Sequence, residues 1–181
     1  MKKAVFLDRD GVIIEQVAYL SSPDQVKLIP GAAEALRLIH RHGDLAVVIS
    51  NQSGVGRGYF TREAVEAAHA RIQELLAPLG ESVDAFYYCP HAPEEKCSCR
   101  KPKPEMILRA AREHDLEVGK SLMLGDRLSD LECGANAGCA RSMLVRTGYG
   151  AEQESAARAA GFPVCRDFLA AAEDFYSSDT E

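Results

Sequence analysis

Two aspartates, Asp8 and Asp10, follow the short apolar run Ala4–Leu7. In an extended chain, side chains two residues apart point to the same side, so both carboxylates could hold one divalent cation. Alternatively, one could attack an electrophile while the other transfers a proton. An Asp-x-Asp pair is also typical of a plain surface turn. The pair alone therefore does not distinguish a functional site from a turn. The residues that follow the other apolar runs must decide.

The segment 50–58, after the second apolar run, combines hydroxyl and amide side chains with three glycines. Backbone N–H groups in such a loop can approach a phosphate. A dinucleotide-binding loop is a competing interpretation. It fits poorly, because Tyr59 stands where G-x-G-x-x-G needs its third glycine and because the loop does not follow the first strand. A phosphate-binding loop and a flexible polar turn remain as alternatives.

Four candidate metal ligands lie close together after the third apolar run: Cys89, His91, Cys97 and Cys99. Three thiolates and one imidazole at this spacing predict a closed tetrahedral zinc site, which would be structural because protein fills every position. Arg100 and Lys101 come next in the chain. A metal-bound loop would hold these two cations at the end of a strand.

Asp126 ends the fourth apolar run and could complete a cation site with Asp8. Asp130 lies in the first turn of the helix predicted to follow, where it either serves the site or only pairs with the helix dipole. Anionic and phosphate-seeking groups thus follow four successive apolar runs. Together they predict a phosphoryl-transfer site, whose task is to neutralise the transferring oxygens and to hold them in line.

The elements that must position these groups alternate along the chain. Short continuous apolar runs are typical of strands buried on both faces, and five are present: 4–7, 45–49, 85–88, 122–124 and 143–145. Each is followed by a predicted helix, so we expect an α/β domain with a mostly parallel sheet. Ligands of such sheets bind beyond the carboxyl ends of the strands.

The predicted helices have recognisable ends. The first predicted helix runs from Pro30 to His42, and the third runs from Pro104 to His114. The second is capped by Thr61 and keeps helical spacing to Leu79. The fourth has a Ser129–Glu132 capping box, and Asp167 caps the last.

The chain has 181 residues, of which 46% are hydrophobic and 27% are charged, with a net charge of −6. These values predict one domain over residues 1–176 with a disordered tail at 177–181. The acidic balance argues against nucleic-acid or membrane partners, and no apolar run is long enough to form a signal peptide or a membrane span. We therefore expect a cytoplasmic monomer without disulfides, in which Cys133, Cys139 and Cys165 are buried thiols. A zinc-stabilised binding module is the alternative outside enzymology.

Four segments resemble, in order and spacing, the motifs of the haloacid-dehalogenase superfamily of phosphatases: Asp8-Arg9-Asp10-Gly11-Val12, Ser50-Asn51-Gln52, Lys101 and Gly125-Asp126. The resemblance implies a Rossmann-like three-layer sandwich without a large cap domain. It also implies Mg²⁺-dependent hydrolysis of a phosphomonoester through an aspartyl-phosphate.

The resemblance assigns a role to each matching position. Asp8 would be the nucleophile and a Mg²⁺ ligand, and Asp126 would complete the Mg²⁺ shell. Asp10 would protonate the leaving oxygen, then activate water, and would offer its backbone carbonyl to the metal. Ser50 and Lys101 would stabilise the phosphoryl group.

The zinc loop resembles that of a branch whose members act on a heptose bisphosphate or on histidinol phosphate. The first substrate is our expectation, with loss of its C7 phosphate during nucleotide-activated heptose synthesis, and histidinol phosphate is the alternative. Val17-Ala18 replaces the frequent His-Gly of this branch, and Arg127 stands where some relatives have lysine. The implied substrate contacts, with Arg100 as the reader of specificity, are Tyr19, Asn51, Gln52, Ser53, Arg57, Arg100 and Arg127.

Overall fold

A single parallel sheet of six strands forms the centre of the molecule. The computed structural model describes residues 2–178. The strands are β1 Ala4–Leu7, β2 Leu45–Asn51, β3 Ala85–Cys89, β4 Leu122–Gly125, β5 Arg141–Val145 and β6 Val164–Cys165, in the spatial order β3-β2-β1-β4-β5-β6. All five predicted strands are confirmed, and β1 lies in the middle of the sheet.

Six helices cover the two faces of this sheet. They are α1 Ala32–Arg41, α2 Arg62–Leu76, α3 Glu105–His114, α4 Leu128–Ala137, α5 Gly150–Ala159 and α6 Phe168–Ser177. Side chains of α1, α2 and α6 pack on one face, whereas α3, α4 and α5 pack on the other. The predicted α/β three-layer architecture is therefore confirmed.

The strand β1 shows why the apolar runs are continuous rather than alternating. Val5 and Leu7 pack into the layer of α1 and α6, while Ala4 and Phe6 pack into the layer of α3. All four side chains are fully buried. Burial of one large apolar side chain contributes about 1.5–3 kcal/mol, so a run buried on both sides anchors the strand firmly.

The elements α5 and β6 were not predicted, and the sequence explains why. Only Gly150 and Ala157 of α5 are buried, so this helix has almost no apolar periodicity. The strand β6 has two residues and lies at the edge of the sheet. The chain therefore contains one βα unit more than the pattern indicated.

Several helix boundaries differ from prediction, and α1 spans Ala32–Arg41 instead of running from Pro30 to His42. The Ser129–Glu132 capping box is wrong, because α4 begins one residue before Ser129 and the backbone N–H of Arg127 donates to Asp130 Oδ2 at 3.1 Å. The prediction that the second helix continues to Leu79 is also wrong. The helix α2 ends at Leu76, and a short 3₁₀ turn containing a proline follows. The caps at Thr61 and Asp167 are confirmed.

Part of the predicted tail 177–181 lies outside the described residues, namely 179–181. Ser177 is the last residue of α6. Among the scattered cysteines, Cys133 is buried, whereas Cys139 and Cys165 are half-buried. Within residues 2–178, no helix combines the length and the apolar character that crossing a bilayer requires.

Candidate active site

A cavity of about 450 Å³ opens at the carboxyl ends of the central strands. The strand order reverses beside β1, because β2 lies on one side of it and β4 on the other, and such a switch point is where ligands bind. The structure brings most of the predicted site residues to this cavity, which is lined by Asp8, Asp10, Tyr19, Asn51, Gln52, Ser53, Arg57, Arg100, Lys101 and Arg127.

Three buried carboxylates form the floor of the site. Asp8 follows β1, Asp126 follows β4, and Asp130 lies in the first turn of α4. One oxygen from each lies within 4.8 Å of the others. Asp130 also lines the cavity, so it belongs to the site and not merely to the dipole of its helix.

Burial makes these negative charges costly. Desolvation raises the pKa of Asp8 well above its ordinary value, partly offset by Lys101 and reinforced by the neighbouring aspartates. Desolvation and Asp130 raise the pKa of Asp126 to about 6. Among the described residues, Asp126 Oδ1 is buried without a hydrogen-bond partner. Three hard oxygen donors, one of them unpartnered, fit a magnesium ion.

Two backbone segments lie directly against the Asp126 carboxylate. The N–H of Tyr149 donates to Asp126 Oδ2 at 2.9 Å. Gly11 has a φ of +84° and lies against the Asp126 carboxylate, where an added Cβ would come within 2.8 Å of its Cγ. The residue after the Asp8–Asp10 pair must therefore be glycine for both conformational and steric reasons.

Lys101 is a buried cation that contacts the carboxylates of the floor. Its ammonium donates to Asp8 Oδ1 at 2.8 Å and to the carbonyl oxygen of Ile49 at 2.7 Å, and it lies 2.7 Å from Asp130 Oδ1. Burial alone would lower its pKa, but the two carboxylates outweigh burial and hold the pKa above the ordinary value. Lys101 therefore stays charged and partly neutralises the floor.

Asn51, a predicted substrate contact, also positions Lys101. Its Oδ1 accepts from the Lys101 backbone N–H at 3.0 Å, and its Nδ2 donates to the Lys101 carbonyl at 3.3 Å. Gln52 connects two other predicted residues, since its Nε2 donates to Ser50 Oγ at 2.7 Å and to Asp10 Oδ2 at 3.1 Å. The loop after β2 thus orders the side chains around the reaction centre.

The four predicted zinc ligands are together in space. The Sγ atoms of Cys89 and Cys99 are 2.9 Å apart, those of Cys89 and Cys97 are 3.5 Å apart, and His91 Nδ1 is 3.3 Å from Cys99 Sγ. All four ligand atoms lie within 4.8 Å of one another. Three thiols and an imidazole in this arrangement fit a tetrahedral zinc ion.

The cysteine cluster packs directly against the loop after β2. The N–H of Gln52 donates to the Cys89 carbonyl, and the N–H of Gly56 donates to the Pro90 carbonyl, both at 2.8 Å. A Cβ on Gly56 would lie 2.5 Å from the backbone nitrogen of Ala92. The close approach of the two loops therefore depends on glycine at this position.

Two aromatic side chains that contact the predicted residues Tyr19 and Arg127, namely Tyr59 and Tyr149, were not themselves predicted. Tyr59 contacts Tyr19 edge-on with ring centroids 4.7 Å apart, and Tyr149 lies under the Arg127 guanidinium at 4.3 Å. Tyr19 itself has a φ of +50°. Tyr59 appeared in the sequence only as the residue that breaks a glycine motif, and nothing in the spacing indicated its contact with Tyr19.

Comparison with known proteins agrees with this geometry. The HAD-hydrolase-like family model matches residues 98–171. A Helicobacter pylori (strain J99) protein named D-glycero-beta-D-manno-heptose-1,7-bisphosphate 7-phosphatase is 43% identical over 144 residues, covering 79% of this chain and 83% of that protein. A Bordetella bronchiseptica protein of the same name is 38% identical over 173 residues, covering 94% and 96%.

A solved structure extends the similarity to the fold. The D,D-heptose 1,7-bisphosphate phosphatase of B. bronchiseptica, complexed with magnesium and phosphate, superposes with a TM-score of 0.89 at 36% identity, covering 97% of this chain and 99% of that one. The resemblance that the motifs indicated is thereby confirmed. The chain belongs to the haloacid-dehalogenase-like family of hydrolases and is a phosphatase.

Proposed function

We propose that this protein removes the C7 phosphate of D-glycero-D-manno-heptose 1,7-bisphosphate, using Mg²⁺, as a step in nucleotide-activated heptose synthesis. The observation that carries the proposal is the buried set of Asp8, Asp126 and Asp130 around Lys101, at the floor of a cavity that polar side chains line. Relatives of 38–43% identity are named for this reaction.

The cavity suits a substrate with two phosphates. The floor provides a nucleophile and a cation for the phosphate that reacts. Three arginines around the cavity, Arg57, Arg100 and Arg127, can take the phosphate that remains on the sugar. A guanidinium binds phosphate through two parallel N–H groups, which favours arginine for this role.

Catalysis proceeds in two displacements. An Asp8 oxygen attacks phosphorus, the bond from phosphorus to the sugar oxygen breaks, and Asp10 gives its proton to that oxygen. The Asp10 carboxylate then takes a proton from water, whose oxygen attacks the phosphorus of the aspartyl-phosphate and releases inorganic phosphate. Lys101 and the Ser50 hydroxyl stabilise the phosphoryl oxygens throughout.

Asp8 and Asp126 would hold the magnesium ion, with Asp130 beside them and the Asp10 backbone carbonyl as the further ligand that the resemblance implies. The ion supplies positive charge for the phosphoryl oxygens. Zinc would be bound by Cys89, His91, Cys97 and Cys99. Because those four ligands would fill a tetrahedral coordination shell, zinc would have a structural role and would hold Arg100 and Lys101 in place.

The test compares kcat/KM for both anomers of the heptose bisphosphate and for histidinol phosphate, with Mg²⁺ and after EDTA. We expect the heptose bisphosphate to be preferred, EDTA to stop turnover, and added Mg²⁺ to restore it. Asp8→Asn should abolish turnover without loss of fold, and beryllium fluoride should modify Asp8 alone. A preference for histidinol phosphate would refute the substrate, and an active Asp8→Asn variant would refute the mechanism.

A further inference from the structure

We propose that Arg9 is a positioning residue that fixes the Asp10 carboxylate and leaves Oδ1 as the atom that carries the catalytic proton. This inference rests on the proposed function, in which Asp10 is the general acid. Arg9 lies between the two motif aspartates, and its side chain is 1% exposed.

The guanidinium grips Asp10 as a fork. Arg9 Nε donates to Asp10 Oδ2 and Arg9 NH2 donates to Asp10 Oδ1, each at 3.1 Å. The same NH2 nitrogen lies 3.0 Å from Oδ2. Two adjacent donors on one planar group fix the rotation of a carboxylate, which the single ammonium of a lysine cannot do.

Gln52, which follows β2, completes the hydrogen bonds around the Asp10 carboxylate. Arg9 NH2 also donates to Gln52 Oε1 at 3.2 Å, while Gln52 Nε2 donates to Asp10 Oδ2 at 3.1 Å. Arg9, Asp10 and Gln52 therefore form a ring of hydrogen bonds that joins the segments after β1 and β2. Gln52 Nε2 extends this ring to Ser50 Oγ.

Burial commits Arg9 to this task. A buried guanidinium must be paired to offset the loss of its hydration, and the hydrogen bonds that it makes go to Asp10 and Gln52. NH1 is buried without a partner among residues 2–178. The Asp10 side chain, by contrast, is 15% exposed and lines the cavity. Asp10 is thus held from the protein side and open on the substrate side.

The hydrogen bonds distinguish the two oxygens of Asp10. Oδ2 accepts from Arg9 Nε and from Gln52 Nε2, whereas Oδ1 accepts only from Arg9 NH2 among the described residues. An oxygen with a free lone pair is the one that can bind a proton. When Asp10 acts as an acid, the O–H bond at Oδ1 breaks as the sugar oxygen gains the proton. The electron pair stays on Oδ1, and every bond to Arg9 is kept.

The experiment is a double-mutant cycle of Arg9→Lys and Asp10→Asn on two substrates. The leaving group of heptose bisphosphate is an alkoxide that needs a proton. The leaving group of p-nitrophenyl phosphate is a phenolate that leaves without one. General acid catalysis contributes about 10²–10⁴-fold. The quantity compared is kcat/KM, because it reports the steps up to departure of the leaving group and not the later hydrolysis of the aspartyl-phosphate, in which Asp10 acts for both substrates. We expect Arg9→Lys to lower kcat/KM about 10–100-fold on the sugar phosphate and only a few-fold on the aryl phosphate. In the Asp10→Asn background it should add less than about 3-fold.

Thermal melting separates positioning from folding, with the exposed Arg71→Lys on α2 as the matched control. If Arg9→Lys does not fold, Arg9→Gln, which buries no unpaired ammonium, replaces it in the same cycle. Equal losses on both substrates, or additive losses with Asp10→Asn, would overturn the role of Arg9. A fully active Asp10→Asn variant would instead overturn the proposed role of Asp10.

Discussion

Asp130 shows how far a carboxylate's role depends on its distant neighbours. Its spacing from Asp126 was compatible both with a site residue and with a helix-dipole partner. In the folded chain it lies 2.7 Å from Lys101 Nζ and within 4.8 Å of the Asp8 and Asp126 oxygens. The deciding partner is 29 residues away in the chain, so local sequence cannot identify it.

Replacing Asp130 by asparagine tests this assignment. Lys101 would then be balanced by Asp8 alone, and the nucleophile would be held more tightly by the ammonium. We expect kcat to fall about 10²-fold and the Mg²⁺ concentration for half-maximal activity to rise. The measurement is a Mg²⁺ titration of the initial rate. Glu132→Gln on the same helix is the control, and an unchanged titration of Asp130→Asn would contradict the assignment.

Arg9 was not predicted as a functional residue, for a related reason. Asp8, Asp10, Ser50, Lys101 and Asp126 follow apolar runs or a metal-binding pattern, so topology alone brings them together. An arginine within a loop, however, is usually solvated. Its burial here depends on Gln52, which follows a different strand.

At the scale of elements, prediction succeeded where burial leaves a strong pattern. The strands β1, β2 and β4 are buried on both faces, and their apolar runs identified them. The helix α5 was not predicted, because the residues that it buries, Gly150 and Ala157, are too small to leave a periodic apolar pattern. Such a helix is positioned by its neighbours, and its own sequence specifies little.

The cysteine loop gives a prediction at this scale. If the loop binds zinc as proposed, Cys97→Ser should release the metal, loosen the loop and displace Lys101, and a displacement of about 1 Å can cost about 10²-fold in rate. Cys139→Ser, a half-buried thiol outside the cluster, is the matched control. Metal content and kcat are measured on the same preparations. A folded, zinc-free and fully active Cys97→Ser protein would show that the loop does not need its metal.

At the scale of the whole molecule, a cluster of ionisable groups lies near the amino ends of the strands, opposite the active site at their carboxyl ends. Near the start of β2, His40 Nδ1 lies 2.8 Å from Glu81 Oε2 and His40 Nε2 lies 3.0 Å from Asp84 Oδ2. Asp84 also accepts from the Ala46 backbone N–H at 2.7 Å. Burial lowers the pKa of His40, but the two carboxylates outweigh burial and raise it above 6.5.

This cluster should make stability depend on pH. A pKa raised by folding gives stabilisation that is fully present below the unfolded value and is lost as pH rises through the folded value. His40→Gln should therefore cost about 1 kcal/mol near pH 5.5 and much less near pH 9, without changing kcat. Urea denaturation at the two pH values measures this difference.

His42→Gln is the control for that experiment, because the His42 ring contacts the Leu38 carbonyl and not a carboxylate. An equal cost of His40→Gln at both pH values would show that folding does not raise the pKa of His40.

The central position of β1 also affects when the active site can form during protein synthesis. Asp8, the proposed nucleophile, precedes most of the sheet in the chain, and β1 gains its second neighbour only when β4 emerges from the ribosome. Lys101 and Asp126 are also made late. A nascent chain therefore holds Asp8 without the Lys101 ammonium and the Asp126 carboxylate until the segments after β3 and β4 have been made. We therefore expect phosphatase activity only after the second half of the sheet has docked against the first.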